Sequence, residues 1–171
     1  RYFCGDVYSG EWDFDKRHGE GKLLYAKGDW YEGQWLKDHK SGEGTQVYTF
    51  DGMQYSGEWT ASLKDGYGKA SWNNGDEYEG HWGVGRRTKE GVMRYGNGDM
   101  FRGQWVNDRK EGGGQMVWAS KQCYEGEWIA NKCNGDGRMQ YPNGDVYYGQ
   151  WVRSKRTGRG MLRQANGDKF E

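Results

Sequence analysis

The sequence is poor in the residues that build a disulfide framework, a linker or a membrane span. Only three of its 171 residues are cysteine (Cys4, Cys123 and Cys133), and so odd and scattered a set favours a reducing compartment without disulfides. There is a single proline, Pro142, and no Ser/Pro-rich stretch that reads as a linker. No apolar run approaches about 18 residues, so no membrane-spanning helix is predicted.

Net charge and catalytic motifs are also lacking. The 25 basic and 25 acidic residues cancel, whereas nucleic acid would require a more basic domain, so no nucleic-acid partner is predicted. The three histidines, His18, His39 and His81, have no neighbouring nucleophile with a third, orienting group. No Gly-Lys-Ser/Thr ending turns the Gly-x-Gly pairs into a phosphate loop. The sequence therefore predicts a protein that is not an enzyme.

The chain is rich instead in glycine, with 31 residues, and in one aromatic motif. Tyr-x-Gly-x-Trp returns seven times, once with Phe in place of Tyr, and successive tryptophans are 23 or 24 residues apart. A mean hydropathy of -1.23 would suit a disordered chain, but the glycines keep a fixed phase with the motif. Such a period is typical of a short supersecondary unit stacked along an axis.

Spacing within each unit indicates strands. Tyr8, Gly10 and Trp12 alternate by two, and the residues from Gly19 to Tyr25 do the same, so each set lines one face of an extended segment. A polar loop from Asp13 to His18 lies between them, which predicts a β-hairpin of about 23 residues. The register that follows is Tyr8 opposite Leu23, Gly10 opposite Gly21 and Trp12 near Gly19.

The motif aromatics are the candidate core and the candidate groove. A tryptophan ring could lie flat over a glycine on the paired strand, which would offset the weakness of glycine in a strand. Another aromatic usually follows thirteen residues after each tryptophan, so rings could line one concave face. We expect most rings to be core, with some left to form a groove for a peptide or helix. The core and groove residues are Tyr8, Trp12, Tyr31, Trp35, Tyr55, Trp59, Tyr78, Trp82, Phe101, Trp105, Tyr124, Trp128, Tyr147 and Trp151.

The motif and the glycine pair behind it resemble the MORN repeat, the "membrane occupation and recognition nexus" unit. The matching segments are Tyr31-Glu32-Gly33-Gln34-Trp35 with Gly42-Glu43-Gly44, and Arg17-His18-Gly19-Glu20-Gly21 after Trp12. The resemblance implies an all-β fold: an elongated, twisted, single-layer antiparallel sheet of tandem hairpins. We expect residues 1–171 to form one continuous array, a fragment of a longer one, with partial repeats at both ends. The seven repeats start near residues 8, 31, 55, 78, 101, 124 and 147.

Several positions depart from the repeat. The second repeat has one extra residue before Gly52, and Lys89 stands where the first glycine of the pair is expected. Lys121 replaces the turn glycine of the fifth repeat, and Gln164 replaces the aromatic of the seventh. The sheet could bend or loosen at these places, with Lys121 as a candidate hinge, although neutral drift explains them equally well.

Charge is distributed unevenly along each repeat. The opposite turn of most units carries an aspartate, such as Asp6 or Asp29, so one long edge is predicted to be acidic and the other basic. An acidic protein surface or an anionic bilayer could use the basic edge, and soluble loops that bind nothing are an equally good explanation. The basic edge consists of Lys16, Arg17, Lys40, Lys64, Arg86, Arg87, Arg109, Lys110, Lys132, Lys155 and Arg156.

These observations predict a cytoplasmic, cytoskeleton-associated scaffold that binds itself and other proteins. Open sheet ends favour an antiparallel homodimer through a terminal repeat. The resemblance to family members that hold metal at a dimer junction implies that Cys123 and Cys133 could contribute to a zinc site with a histidine. No metal-ligand spacing is present in the sequence, however, and no cofactor is predicted. The alternatives are a module at the membrane periphery that binds anionic phosphoinositides, and a targeting arm of an enzyme whose catalytic domain lies elsewhere.

Overall fold

The computed structural model describes residues 5–171, and all regular secondary structure in this range is β-strand. Cys4 and the start of the predicted N-terminal partial repeat lie outside the described residues. No helix in the described range could span a membrane. The strands are β1 (Val7–Asp13), β2 (Lys16–Leu24), β3 (Trp30–Leu36), β4 (His39–Tyr48), β5 (Met53–Thr60), β6 (Leu63–Ser71), β7 (Glu77–Gly83), β8 (Arg86–Arg94), β9 (Met100–Val106), β10 (Arg109–Val117), β11 (Cys123–Ile129), β12 (Lys132–Gln140), β13 (Val146–Val152), β14 (Lys155–Arg163) and β15 (Lys169–Phe170).

The chain divides into two compact units, residues 1–86 and 87–171. In the first unit, successive strands from β1 to β7 pair antiparallel with one another. In the second unit, β8 to β15 do the same. The predicted fold class of tandem antiparallel hairpins is therefore confirmed.

The two strands of a hairpin are joined by a two-residue turn in which both residues have positive φ, as at Phe14 (44°) and Asp15 (61°). This is type I′ geometry. The sequence predicted a longer polar loop, Asp13–His18, because the residues between the two alternating segments are mostly polar. Left-handed φ costs an L-residue about 1–2 kcal/mol, and at the second turn hydrogen bonds to the preceding hairpin offset it. Asp38 donates its backbone N–H to the Arg17 carbonyl at 3.0 Å and accepts the Arg17 N–H on Oδ1 at 3.0 Å.

The pairing register between the two strands of a hairpin shifts at an equivalent position in successive hairpins, as the first hairpin shows. Two predicted pairings are confirmed: Tyr8 with Leu23, and Gly10 with Gly21. The predicted approach of Trp12 to Gly19 is wrong, because the register shifts after Gly10 and Trp12 pairs with Arg17. Gly19 has a φ of 57° and pairs instead with Trp35 of β3. The glycine thus forms a bulge, and the equivalent shift brings a basic residue rather than glycine beside Trp12, Trp35, Trp59, Trp105 and Trp151.

Rings from successive hairpins interlock on one face of the sheet, which we call the ring face. Tyr31 packs edge to face against Trp35 of its own hairpin at 5.1 Å and against Trp59 of the next at 5.3 Å. Its hydroxyl donates to the Gln34 carbonyl at 2.9 Å. A Cβ added at Gly44 would lie 2.2 Å from the Tyr31 hydroxyl oxygen, so the tyrosine ring, not the predicted tryptophan ring, covers the strand glycine.

Two positions that depart from the repeat, Lys89 and Lys121, keep its backbone conformation. Lys89 has a φ of 51°, close to the 57° of Gly19, and Lys121 has a φ of 67° in place of the turn glycine. Lys121 also keeps the turn hydrogen bond, donating its N–H to the Trp118 carbonyl at 2.8 Å. These substitutions therefore act through local strain.

Candidate functional site

The motif aromatics form the core of each unit. All of them from Tyr31 onward are buried, with exposures between 0% at Tyr31 and 7% at Tyr147. Trp12, in the first hairpin, is 52% exposed. The indole N–H groups also have partners, since Trp59 donates to the Gly44 carbonyl at 3.0 Å and Trp128 to the Gly114 carbonyl at 3.1 Å. These satisfied and enclosed rings hold the hairpins together and leave little surface for a ligand.

The eleven residues of the predicted basic edge separate into two rows. An outer row comes first after each turn, and its side chains are exposed: Lys16, Arg86, Arg109, Lys132 and Lys155. An inner row comes one residue later and lies over the rings: Arg17, Lys40, Lys64, Arg87, Lys110 and Arg156. The bulge causes this separation, because it places the second residue opposite tryptophan on the ring face.

Inner-row cations occupy cages of aromatic rings. Lys40 Nζ lies 4.9 Å from the ring centres of Tyr31 and Trp59 and 5.6 Å from that of Tyr25. In the second unit, Lys110 Nζ lies 4.9 to 5.2 Å from three rings in the equivalent positions. Cation–π attraction of this kind is worth about 0.5–2 kcal/mol, more when the cation is desolvated.

Burial changes the acid–base behaviour of these lysines. Desolvation lowers the pKa of Lys40 to about 8, with repulsion from Arg17 and Lys64 acting in the same direction. The Lys40 ammonium hydrogen-bonds the side chain of Gln46, which is 1% exposed. Desolvation also lowers the pKa of Lys110. Lys40 and Lys110 are thus part of the folded interior as well as sources of positive charge, whereas Arg156 of the same row is exposed.

The accessible rings are those that follow thirteen residues after each tryptophan. They are half-buried and lie beside the inner row on the ring face, and desolvation raises the pKa of Tyr25 and Tyr48. We call this set the aromatic row: Tyr25, Tyr48 and Trp72 in the first unit, and Tyr95, Trp118 and Tyr141 in the second. The spacing had shown these aromatics, but it could not separate them from the buried motif rings.

The turn aspartates connect successive hairpins. Asp29 Oδ1 accepts from both the backbone N–H and the hydroxyl of Thr49 at 2.7 Å, and these bonds lower the pKa of Asp29. Asp99 accepts the Ala119 N–H at 2.8 Å in the same way. The acidic turns that the sequence predicted therefore have a structural role.

Cys123 and Cys133 do not come together in one metal site within the described residues. Cys133 takes the inner-row position of the sixth hairpin, opposite Trp128 on the ring face, and is 4% exposed. Cys123 precedes the ring-face residue Tyr124 in β11, so it lies on the opposite face of the sheet. Burial raises the pKa of both thiols. Residues 5–171 contain no group of three His, Cys, Asp or Glu side chains suited to a metal ion.

A comparison with known families finds a repeat family whose matched segments correspond to the hairpins described above. The family model described as "MORN repeat" matches residues 8–30, 31–49, 55–77, 101–123, 124–146 and 147–169, well over half of the chain. The chain belongs to the MORN-repeat family. The repeat that starts near residue 78 is not among these matches, and it is the repeat in which Lys89 replaces a glycine.

Two solved structures share the fold of this MORN-repeat chain. One is the SAS-4 (dCPAP) TCP domain of Drosophila melanogaster in complex with a proline-rich motif of Ana2 (dSTIL), with 13% identity, a TM-score of 0.55, and coverage of 89% of this chain and 82% of that chain. The other is the TCP10c domain of Drosophila melanogaster Sas-4, with 13% identity, a TM-score of 0.50, and coverage of 89% and 90%. At this identity the likeness concerns the fold alone. No curated protein matches the sequence.

Proposed function

We propose that this MORN-repeat chain is a non-enzymatic scaffold that binds an extended segment of a protein partner along its aromatic row. The observation that carries the proposal is the set of accessible rings in successive hairpins, three of which (Tyr25, Tyr48 and Tyr95) have an inner-row lysine beside them. In the first unit Lys64 Nζ lies 5.5 Å from the Tyr48 ring, and in the second Lys110 Nζ lies 5.1 Å from the Tyr95 ring. Apolar ring surface with adjacent positive charge suits a segment that alternates apolar and acidic residues.

The pitch of the row favours an extended ligand. Two strands at about 4.8 Å each place successive rings roughly 9.6 Å apart. A polyproline II segment advances about 9.3 Å every three residues and presents the same side at each step. Aromatic-lined grooves recognise such segments in other folds. The Drosophila SAS-4 TCP domain, which shares this fold, is in complex with a proline-rich motif, and this supports the same type of ligand here.

A labelled proline-rich peptide with interspersed glutamates tests the proposal by fluorescence anisotropy. Trp118→Ala and Tyr141→Ala should each weaken binding about tenfold, because each removes one ring of the row. Tyr148→Ala is the matched control, since Tyr148 is a 41% exposed aromatic on the opposite face of the same unit. Failure of the intact chain to bind, or equal losses for Tyr148→Ala and Trp118→Ala, would refute the groove.

We further propose that the scaffold forms an antiparallel homodimer through a terminal repeat and works in a cytoplasmic cytoskeletal assembly. An edge strand of an antiparallel sheet can add a strand from a second copy, which supports such pairing. Light scattering coupled to small-angle X-ray scattering should give the mass of two chains. A monomer across the micromolar range would contradict the dimer.

Binding to anionic phosphoinositides at the membrane periphery is the second candidate. The exposed outer-row cations favour it, since each basic residue near an anionic bilayer contributes about 1 kcal/mol. Sedimentation separates the two candidates. A scaffold should pellet with a detergent-resistant cytoskeleton. A lipid-binding module should pellet with anionic vesicles and lose this binding at high salt and after Arg109→Glu and Lys132→Glu.

A further inference from the structure

The second unit carries an exposed apolar and basic stripe on the face opposite the rings. The residue directly after each motif tryptophan points to this face, and three in succession are branched aliphatics: Val106 is 51% exposed, Ile129 58% and Val152 53%. Scattered exposed aliphatics are common on protein surfaces, but three in the same position of consecutive hairpins form a continuous feature.

A basic residue stands directly across the turn from each of these aliphatics. The pairs are Val106 with Arg109, Ile129 with Lys132 and Val152 with Lys155. All three cations are exposed, and within residues 5–171 none of the three forms an ion pair. We call these six residues the tip stripe. The stripe therefore offers unpaired positive charge and unburied apolar surface in the same positions.

From this arrangement we infer that the tip stripe is a second docking surface, which binds an acidic, extended protein segment with an aliphatic side chain at every third residue. Charge complementarity selects the acidic residues. The hairpin pitch of roughly 9.6 Å selects the spacing, because three residues of polyproline II span about 9.3 Å. A β-strand would turn its third residue to the wrong side, since its side chains alternate.

An anionic bilayer fits the same surface less well. Glu127 lies two residues before Ile129 on the same face of β11, and the exposed Asp136 lies close by in β12. These carboxylates would face the headgroups of a bilayer that contacted the stripe. A narrow segment can contact the stripe and avoid them. The first unit does not repeat the pairing of an aliphatic residue with lysine or arginine, because Leu36, at the equivalent position, is paired with His39.

Fluorescence anisotropy with a designed peptide tests the inference. The probe has leucine at every third position and glutamate between. The control peptide has the same composition, but its leucines stand at alternate positions in the middle and the remaining glutamates lie at its two ends. The intact chain should prefer the probe, and Ile129→Ser and Lys132→Glu should each weaken its binding about tenfold. Leu36→Ser is the matched control, because Leu36 is 49% exposed at the equivalent position, and it should leave the affinity unchanged.

Several results would overturn the inference. These are equal binding of the two peptides, no binding of the probe, or an Ile129→Ser affinity equal to that of the intact chain. If the intact chain does not bind the peptide and Ile129→Ser loses binding to phosphatidylserine vesicles, the stripe contacts a bilayer. If Ile129→Ser lowers the mass measured by light scattering, the stripe contacts a second copy of the chain. Val152→Ser repeats the test if Ile129→Ser fails to fold. Trp118→Ala, on the other face, should not alter probe binding, so the stripe and the groove can fail separately.

Discussion

Two adjacent glycines in β10 should respond in opposite directions to the same substitution. A Cβ added at Gly114 would lie 2.6 Å from Cζ and 2.7 Å from Cε2 of the Phe101 ring, whereas a Cβ added at Gly113 would meet nothing within 4 Å. Neither glycine has a positive φ. Ala at these two positions therefore isolates the ring contact from the general effect of removing a glycine.

The magnitude follows from how the ring is held. Phe101 is 0% exposed and packs between Trp105 at 5.3 Å and Trp128 at 5.2 Å, so it cannot move aside without disturbing both contacts. Overpacking costs about 1–3 kcal/mol, and each disturbed aromatic pair adds about 0.5–1.5 kcal/mol. Gly114→Ala should thus lower the free energy of unfolding by about 3 kcal/mol. Gly113→Ala should raise it by about 0.5 kcal/mol, because alanine loses less backbone entropy on folding.

Urea denaturation followed by tryptophan fluorescence and circular dichroism measures both changes, provided that the two probes coincide. A double variant with Phe101→Leu tests the cause, because a smaller side chain should reduce the cost of Gly114→Ala. The reasoning is refuted if Gly114→Ala is within about 0.5 kcal/mol of the unmodified chain, or if Gly113→Ala costs as much as Gly114→Ala.

Two further predictions concern lysines. Lys89→Gly should raise the free energy of unfolding by about 0.5–1 kcal/mol in urea denaturation, because it removes an L-residue from a left-handed conformation. The control Arg102→Gly, in extended β9, should lower the free energy of unfolding. A lower free energy of unfolding for Lys89→Gly would contradict the strain. The pKa of Lys40 is lowered to about 8 from 10.5, so the unfolded chain binds more protons across that window and stability should rise with pH through it. Lys40→Met should remove this part of the rise in pH-dependent denaturation, and an unchanged slope would show that Lys40 is not buried in solution.

The sequence by itself determined the hairpins and most of their register. Alternation by two at Tyr8, Gly10 and Trp12, together with a constant period, admits strands and no helix, because such local spacing depends only on backbone geometry. The glycine opposite Gly10 was also predictable, since a ring needs a neighbour without a side chain.

Only the tertiary structure decided which residues are core and which are surface. The rings around Lys40 come from three consecutive hairpins: Tyr25, Tyr31 and Trp59. A linear pattern does not show such a cage, and a lysine after a turn is indistinguishable from a solvated one until the bulge turns it onto the ring face. Cys123 and Cys133 were likewise placed on opposite faces by pairing, which sequence proximity could not reveal. The physical reason is that burial here arises between hairpins, whereas the repeat pattern describes each hairpin by itself.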